Sequence, residues 1–334
     1  MFLVFVLIIV FLISERKVKK EIVVSGFTMG SIPYNLKYIS DAKSIYKKEV
    51  DSILINFNNT FSTYISTSEI SQINSSEGKI EISPDFYFLL KHSKDVFEIT
   101  GGAFDPTIGP LVNAWGFGPD KKNQLPTSYQ INKLKNFVGF DKLIFDEKYL
   151  YKKHKETYLD FSSIAKGYAV DIISDYLLLK GINNFFIEIG GEVRSKGKNL
   201  KDNYWRVGIN RPSESENELI ASVPLKDMSV ATSGNYRNYY FSGDSIIFHT
   251  IDPNSGYPSY SNMISSSVFS SSCFLADAYS TAFMVLGYEK SKIILNSNDK
   301  IDGFLIYKDI NGNIKTFTSD KINDEINIYE WCLY

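Results

Sequence analysis

Helix-like and strand-like segments do not alternate regularly along this chain, and that ordering constrains its fold more than any single motif. Residues 41–57 carry Ile45, Val50, Ile53, Leu54 and Phe57 on one side at near-helical period. Ser83-Pro84 reads as an N-cap and first helical residue before DFYFLLKHSKDVFEIT. A third helix is expected over 163–180, stopped by Gly181. Strand-like stretches then crowd the second half: NFFIEIGG, YWRVGINRP, MSVATSG, SIIFHTIDP and GFLIYKD, each ending in a turn. A single clear helical stretch, DAYSTAFMVLG, lies among them. This order argues for an α+β fold rather than a doubly wound sheet. The 334 residues, 44 % of them hydrophobic, suffice for one large domain or two lobes.

Several function classes are excluded early. Net charge is −2 and the lysines are scattered apart from RKVKK at 16–20, so there is no nucleic-acid footprint. Cys273 and Cys332 lie far apart without metal-ligand spacing, and His92, His154 and His249 form no HxxxH or HxH pair, which argues against zinc. Neither GxGxxG nor GxxxxGK[ST] occurs. Residues 2–13, FLVFVLIIVFLI, form a continuous apolar run of signal-sequence length, too short for an ordinary spanning helix. It is read as an uncleaved export or anchor segment within residues 1–20. The basic residues that follow it pull the other way, because positive charge favours the cytoplasmic side.

Four stretches carry groups able to do chemistry. In GGAFDPTIGP, 101–110, glycine and proline break regular structure around Phe104 and Asp105. The loop either plugs the core and caps a turn, or brings backbone close to a ligand. In LDFSSIAKGYAVD, Ser162 and Ser163 are natural N-caps, and Lys166 falls in the first helical turn. A cation there is explained by a neighbouring anion such as phosphate, or else it faces solvent. In LADAYSTAFMVLG, Asp277 and Thr281 are four apart and share a helix face. Their oxygens suit Mg²⁺ better than zinc, although a dipole-favouring Asp and a packed Thr explain them equally well. In FHTIDPNSGYP, His249 is expected in an apolar strand, where it is either an interior residue or a general base.

Taken together these stretches resemble the ApbE family of FAD:protein FMN transferases, over about residues 25–290. The resemblance rests on GFTMGSIPY, FSTYISTSEISQIN, GGAFDPTIGPLVNAWGFGP, LDFSSIAKGYAVD, IEIGGEVRSKGKN, WRVGINRP, VATSGNYRNYY, HTIDPNSGYP and ADAYSTAFMVLG, in that order. It implies a flavin transferase domain over 21–334, with mixed or antiparallel sheets, flanking helices and two lobes. It implies FAD contacts at Met29, Tyr64, Ala103, Phe104, Asp105, Asp160, Lys166 and Ile251. It implies Mg²⁺ held by Asp277 and Thr281 with the backbone carbonyl near Ser163. Many members carry a lipoprotein cysteine near the N-terminus, and none stands in that part of this chain.

The implied reaction is attack of an acceptor threonine hydroxyl on the FMN-side phosphorus of FAD, releasing AMP, with His249 or a nearby carboxylate taking the proton. The implied acceptors are extracytoplasmic flavoprotein subunits of ion-pumping redox complexes, with the enzyme tethered at the periplasmic side of the membrane. Two other readings use the same residues: storage or delivery of FAD without catalysis, and Mg²⁺-dependent hydrolysis of FAD to FMN and AMP.

Overall fold

The computed structural model describes residues 19–41, 45–119, 124–212, 218–235, 239–243 and 245–329. The apolar run at 2–13 lies outside the described residues. Among the described residues no helix is long and apolar enough to cross a membrane.

The strands are β1 (Lys20–Thr28), β2 (Ile32–Ser40), β3 (Lys79–Glu81), β4 (Leu143–Phe145), β5 (Tyr149–Lys152), β6 (Phe185–Ile189), β7 (Glu192–Lys196), β8 (Trp205–Asn210), β9 (Leu219–Leu225), β10 (Ser229–Gly234), β11 (Tyr239–Ser242), β12 (Ser245–Phe248), β13 (Met263–Ser270), β14 (Ile301–Lys308), β15 (Ile314–Thr318) and β16 (Asn327–Ile328). The helices are α1 (Lys47–Phe61), α2 (Glu69–Ser75), α3 (Pro84–Ile99), α4 (Gly109–Ala114), α5 (Ser128–Lys135), α6 (Ala165–Leu179), α7 (Cys273–Ser297) and α8 (Asp320–Asn323).

The fold is α+β, as the segment order predicts. Its frame is an eight-stranded sheet in the order β1-β2-β6-β7-β10-β13-β14-β15. Every neighbouring pair in it is antiparallel. Side chains alternate between two cores, as the two-residue strand period requires. Ala231, Val268 and Leu305 face the larger core under α6 and α7. Val230, Phe269, Phe304 and Ile306 face a second core, which the small sheet β16-β9-β8 covers. A third, smaller cluster joins α4 and α5 to the β11–β12 hairpin through Leu111, Trp115, Ile131, Ile247 and Ile251.

Local signals place some helices as expected. The Ser83 hydroxyl accepts the Phe86 amide at 3.2 Å and Pro84 opens α3. Other boundaries move. The first helix begins at Lys47 rather than 41. Neither Ser162 nor Ser163 caps α6, whose N-cap is Ile164 without a side-chain bond. The last helix is longer than DAYSTAFMVLG, running from Cys273 to Ser297 with a break at Gly287. β12 stops at Phe248, so His249 stands in the bend beyond it and not in the strand. Strand alternation therefore does not relate His249 to Ile251, which instead pairs with Pro258 in an isolated bridge.

Candidate active site

One cavity of about 470 Å³ gathers most of the residues singled out from sequence. Its wall is contributed by segments far apart in the chain. The 103–108 loop supplies Ala103, Phe104, Asp105 and Ile108, and the approach to α6 supplies Asp160, Ser163 and Lys166. The bend after β12 supplies His249 and Ile251, while α7 supplies Asp277, Thr281 and Val285. Met29 and Tyr64 do not line the cavity. Met29 sits in the β1–β2 turn with φ 48°, partly buried against the main core. Tyr64 is largely exposed, and burial, followed by the Asp160 carboxylate, raises its phenol pKa.

The 101–110 loop packs into the core and caps its own turn, and it also lines the cavity. Gly101 and Gly102 take φ of 60° and 82°, a region side chains disfavour. That turn drops Phe104 into the main core at 1 % exposure while leaving it against the cavity. Asp105 folds back on its own loop: Oδ1 accepts the Thr107 amide at 2.8 Å and hydroxyl at 2.6 Å. Its Oδ2 is buried without a partner. Burial raises the Asp105 pKa to about 6, against the lowering effect of Thr107. The Asp160 amide donates to the Pro106 carbonyl at 2.7 Å, locking the two acidic loops together.

The start of α6 does hold an anion beside Lys166, and that anion is a protein carboxylate. The ammonium bonds Glu192 Oε1 on β7. Burial opposes the lysine charge, but Asp277 and Glu192 more than offset it, so its pKa stands above the ordinary lysine value. Burial lifts Glu192 to about 7 despite Lys166. Burial also raises Asp277 and Asp160, with the Gly167 and Ser162 amides respectively pulling them down. Asp277 Oδ2 accepts the Gly167 amide, the first-turn donor of α6, at 3.0 Å. Ser233 bridges Ser280 at 2.9 Å and Thr281 at 3.3 Å.

These groups fit a hard cation bound together with phosphate. Among the described residues no group of three or more His, Cys, Asp or Glu is placed to hold a metal. The candidate set is one carboxylate, a hydroxyl and a carbonyl at Asp277, Thr281 and Ser163, all on the cavity wall. That sparse oxygen set suits Mg²⁺, which takes its remaining ligands from substrate phosphates and water. Glu192, Thr232, Ser233 and Gly234 also line the cavity and were not singled out from sequence. Glu192 was hidden because strand β7 looks polar at that end, and only the fold turns it inward onto Lys166.

Fold and cavity together define an α+β protein whose polar site lies along the first turns of α6 and α7, beside the Lys166–Glu192 ion pair. Known proteins make that class specific. The ApbE family model matches residues 29–305. FAD:protein FMN transferases from Vibrio cholerae serotype O1 and Haemophilus influenzae are each 36 % identical to it, covering 85 % and 89 % of this chain and 86 % and 89 % of their own. The flavin transferase ApbE structure from Vibrio cholerae superposes with a TM-score of 0.84 at 34 % identity, covering 92 % of this chain and 100 % of that one. The apo flavinyl transferase ApbE of Pseudomonas stutzeri gives 0.82 at 32 %, covering 92 % and 97 %. The chain belongs to the ApbE family.

Proposed function

We propose that this chain transfers FMN from FAD to a threonine hydroxyl of an acceptor flavoprotein and releases AMP. One observation carries the reading beyond family membership. A partly buried lysine, the Asp277–Thr281 face and His249 all line the cavity that Asp105 also lines. Storage of FAD would need the loop and Lys166 but not the Asp277–Thr281 face or His249.

In this reading the 103–108 loop, Ile251 and Val285 hold the apolar parts of FAD, and Met29 and Tyr64 contact it from the rim. Asp105 Oδ2 accepts a donor from the bound nucleotide, and Asp160 holds the facing loop. Lys166 lies against the pyrophosphate, its charge kept by Glu192 and Asp277. Asp277, Thr281 and the Ser163 carbonyl would hold Mg²⁺, which when bound would supply charge neutralisation for the pyrophosphate. His249 accepts the proton as the threonine Oγ bonds the FMN phosphorus. The P–O bond to the AMP phosphate breaks, and AMP leaves with the bridging oxygen.

Residues 21–334 act as one transferase unit. Residues 2–13 direct it out of the cytoplasm and hold it at the membrane, where flavoprotein subunits of ion-pumping redox complexes are the expected acceptors. The test follows AMP formation from FAD with and without Mg²⁺ and acceptor. AMP appearing only when both are present supports transfer. AMP appearing at the same rate without acceptor supports hydrolysis instead.

A further inference from the structure

The start of α7 has no side-chain cap of its own, since the Ser272 hydroxyl makes no capping bond. An uncapped start leaves buried amides to be satisfied elsewhere. They are satisfied by Asp171, two turns into the neighbouring helix α6. Its Oδ1 accepts the Cys273 amide at 3.0 Å and its Oδ2 the Phe274 amide at 2.9 Å. The debt is reciprocal: Asp277, one turn into α7, accepts the first-turn Gly167 amide of α6. Each helix therefore caps the other with a carboxylate. The contact is close enough that a Cβ on Gly167 would overlap the Cys273 carbonyl.

Strand β7 fixes this arrangement from beneath. Glu192 and Arg194 are two apart and so project from the same side of the strand. Glu192 pairs with Lys166, and Arg194 Nη1 donates to Asp171 Oδ1 at 2.5 Å. Asp171 is 8 % exposed at its side chain, and burial raises its pKa against Arg194 and the two amides. It does not line the cavity.

We propose that Asp171 is a positioning residue: by joining Arg194 to the first amides of α7, it sets the rotation and depth of that helix so that Asp277 and Thr281 face the cavity. The inference rests on the metal role proposed above. Loss of a group that orients a metal ligand typically costs about 10–100-fold in metal affinity or activity.

The experiment compares Asp171→Ala and Asp171→Asn in the full chain. The asparagine keeps the shape and one acceptor oxygen; the alanine keeps neither. Ile209→Ala, in the second core, serves as a control for lost stability. Two quantities are read in each protein. One is the Mg²⁺ concentration that half-saturates the rise in melting temperature of the FAD-bound protein without acceptor. The other is the FAD dissociation constant in metal-free buffer. Asp171→Ala should raise the Mg²⁺ midpoint about 10–100-fold, with Asp171→Asn between it and wild type. FAD affinity should change less than about two-fold, and Ile209→Ala should lower the melting temperature without moving the Mg²⁺ midpoint. Should Asp171→Ala not fold, Asp171→Asn decides alone. A wild-type Mg²⁺ midpoint in the folded variants overturns the inference, as does a shift of the same size in Ile209→Ala. If wild type itself shows no Mg²⁺ response, the metal reading fails, and this inference with it, while FAD binding remains separately measured.

Discussion

Asp105 is 4 % exposed and leaves one carboxylate oxygen unpartnered, an arrangement that is costly until something donates to it. Its folded pKa of about 6 lies above the unfolded carboxyl value. The proton is therefore held more tightly in the folded state. The stabilisation this gives is complete below about pH 4 and is lost as pH rises through about 6, an effect of about 3 kcal/mol in the ligand-free protein. FAD donating to Oδ2 reverses the preference, because the ionised form is the better acceptor. FAD affinity measured without Mg²⁺ should then weaken as pH falls below about 6, and Asp105→Asn should bind more weakly and lose that limb. An identical pH dependence in both proteins removes Asp105 from the ligand contacts. For His249, replacement by alanine should slow FMN transfer about 10²–10⁴-fold while FAD still binds, and added imidazole should restore part of the rate. An unaltered transfer rate would make it a packing residue against Phe117, whose ring centroid lies 6.3 Å away. Asp105 and Phe104 were legible in sequence because glycine and proline flank them. Glu192 was not, because nothing local distinguishes it from a surface carboxylate on a strand.

Helices α6 and α7 carry Lys166, Asp277 and Thr281 of the candidate site, and their starts explain where sequence reading succeeded and failed. The Asp277–Thr281 spacing was readable because i, i+4 residues share a face whatever the tertiary context. The caps were not. Ser162 and Ser163 looked like the N-cap pair of α6, yet its first-turn donor at Gly167 goes to Asp277, 110 residues away. His249 was placed in a strand because it directly follows the apolar run Ile246–Phe248, but strand pairing with β11 ends at Phe248. The antiparallel order of the main sheet was not readable beyond its α+β class, since adjacent strands such as β2 and β6 are separated by most of the helical half. Two substitutions test the helix pair. Gly167→Ala forces a Cβ into the Cys273 carbonyl and should cost about 1–3 kcal/mol in stability and weaken the Mg²⁺ response. Wild-type stability and Mg²⁺ response would show that the helices separate freely. Asp277→Ala should abolish Mg²⁺-dependent AMP release in a protein that still folds; retention of the wild-type rate would assign the metal elsewhere.

At the scale of the molecule, the eight-stranded sheet with its two cores carries α6 and α7, and the cavity is lined by these helices together with Ile108, Val112, Phe117 and Ile251 of the third, smaller cluster. The cavity therefore depends on segments from 103 to 285 meeting at one point. The proposed export of the chain is checked with a C-terminal reporter that works only outside the cytoplasm; activity supports it, and silence with full expression contradicts it. The central proposal, transfer of FMN to a threonine, is tested most directly by the intact mass of a purified acceptor domain after incubation with this protein, FAD and Mg²⁺. The expected result is an acceptor heavier by one FMN, equimolar AMP, and no gain in mass when the acceptor threonine is replaced by alanine. An acceptor of unchanged mass alongside free FMN and AMP would contradict it.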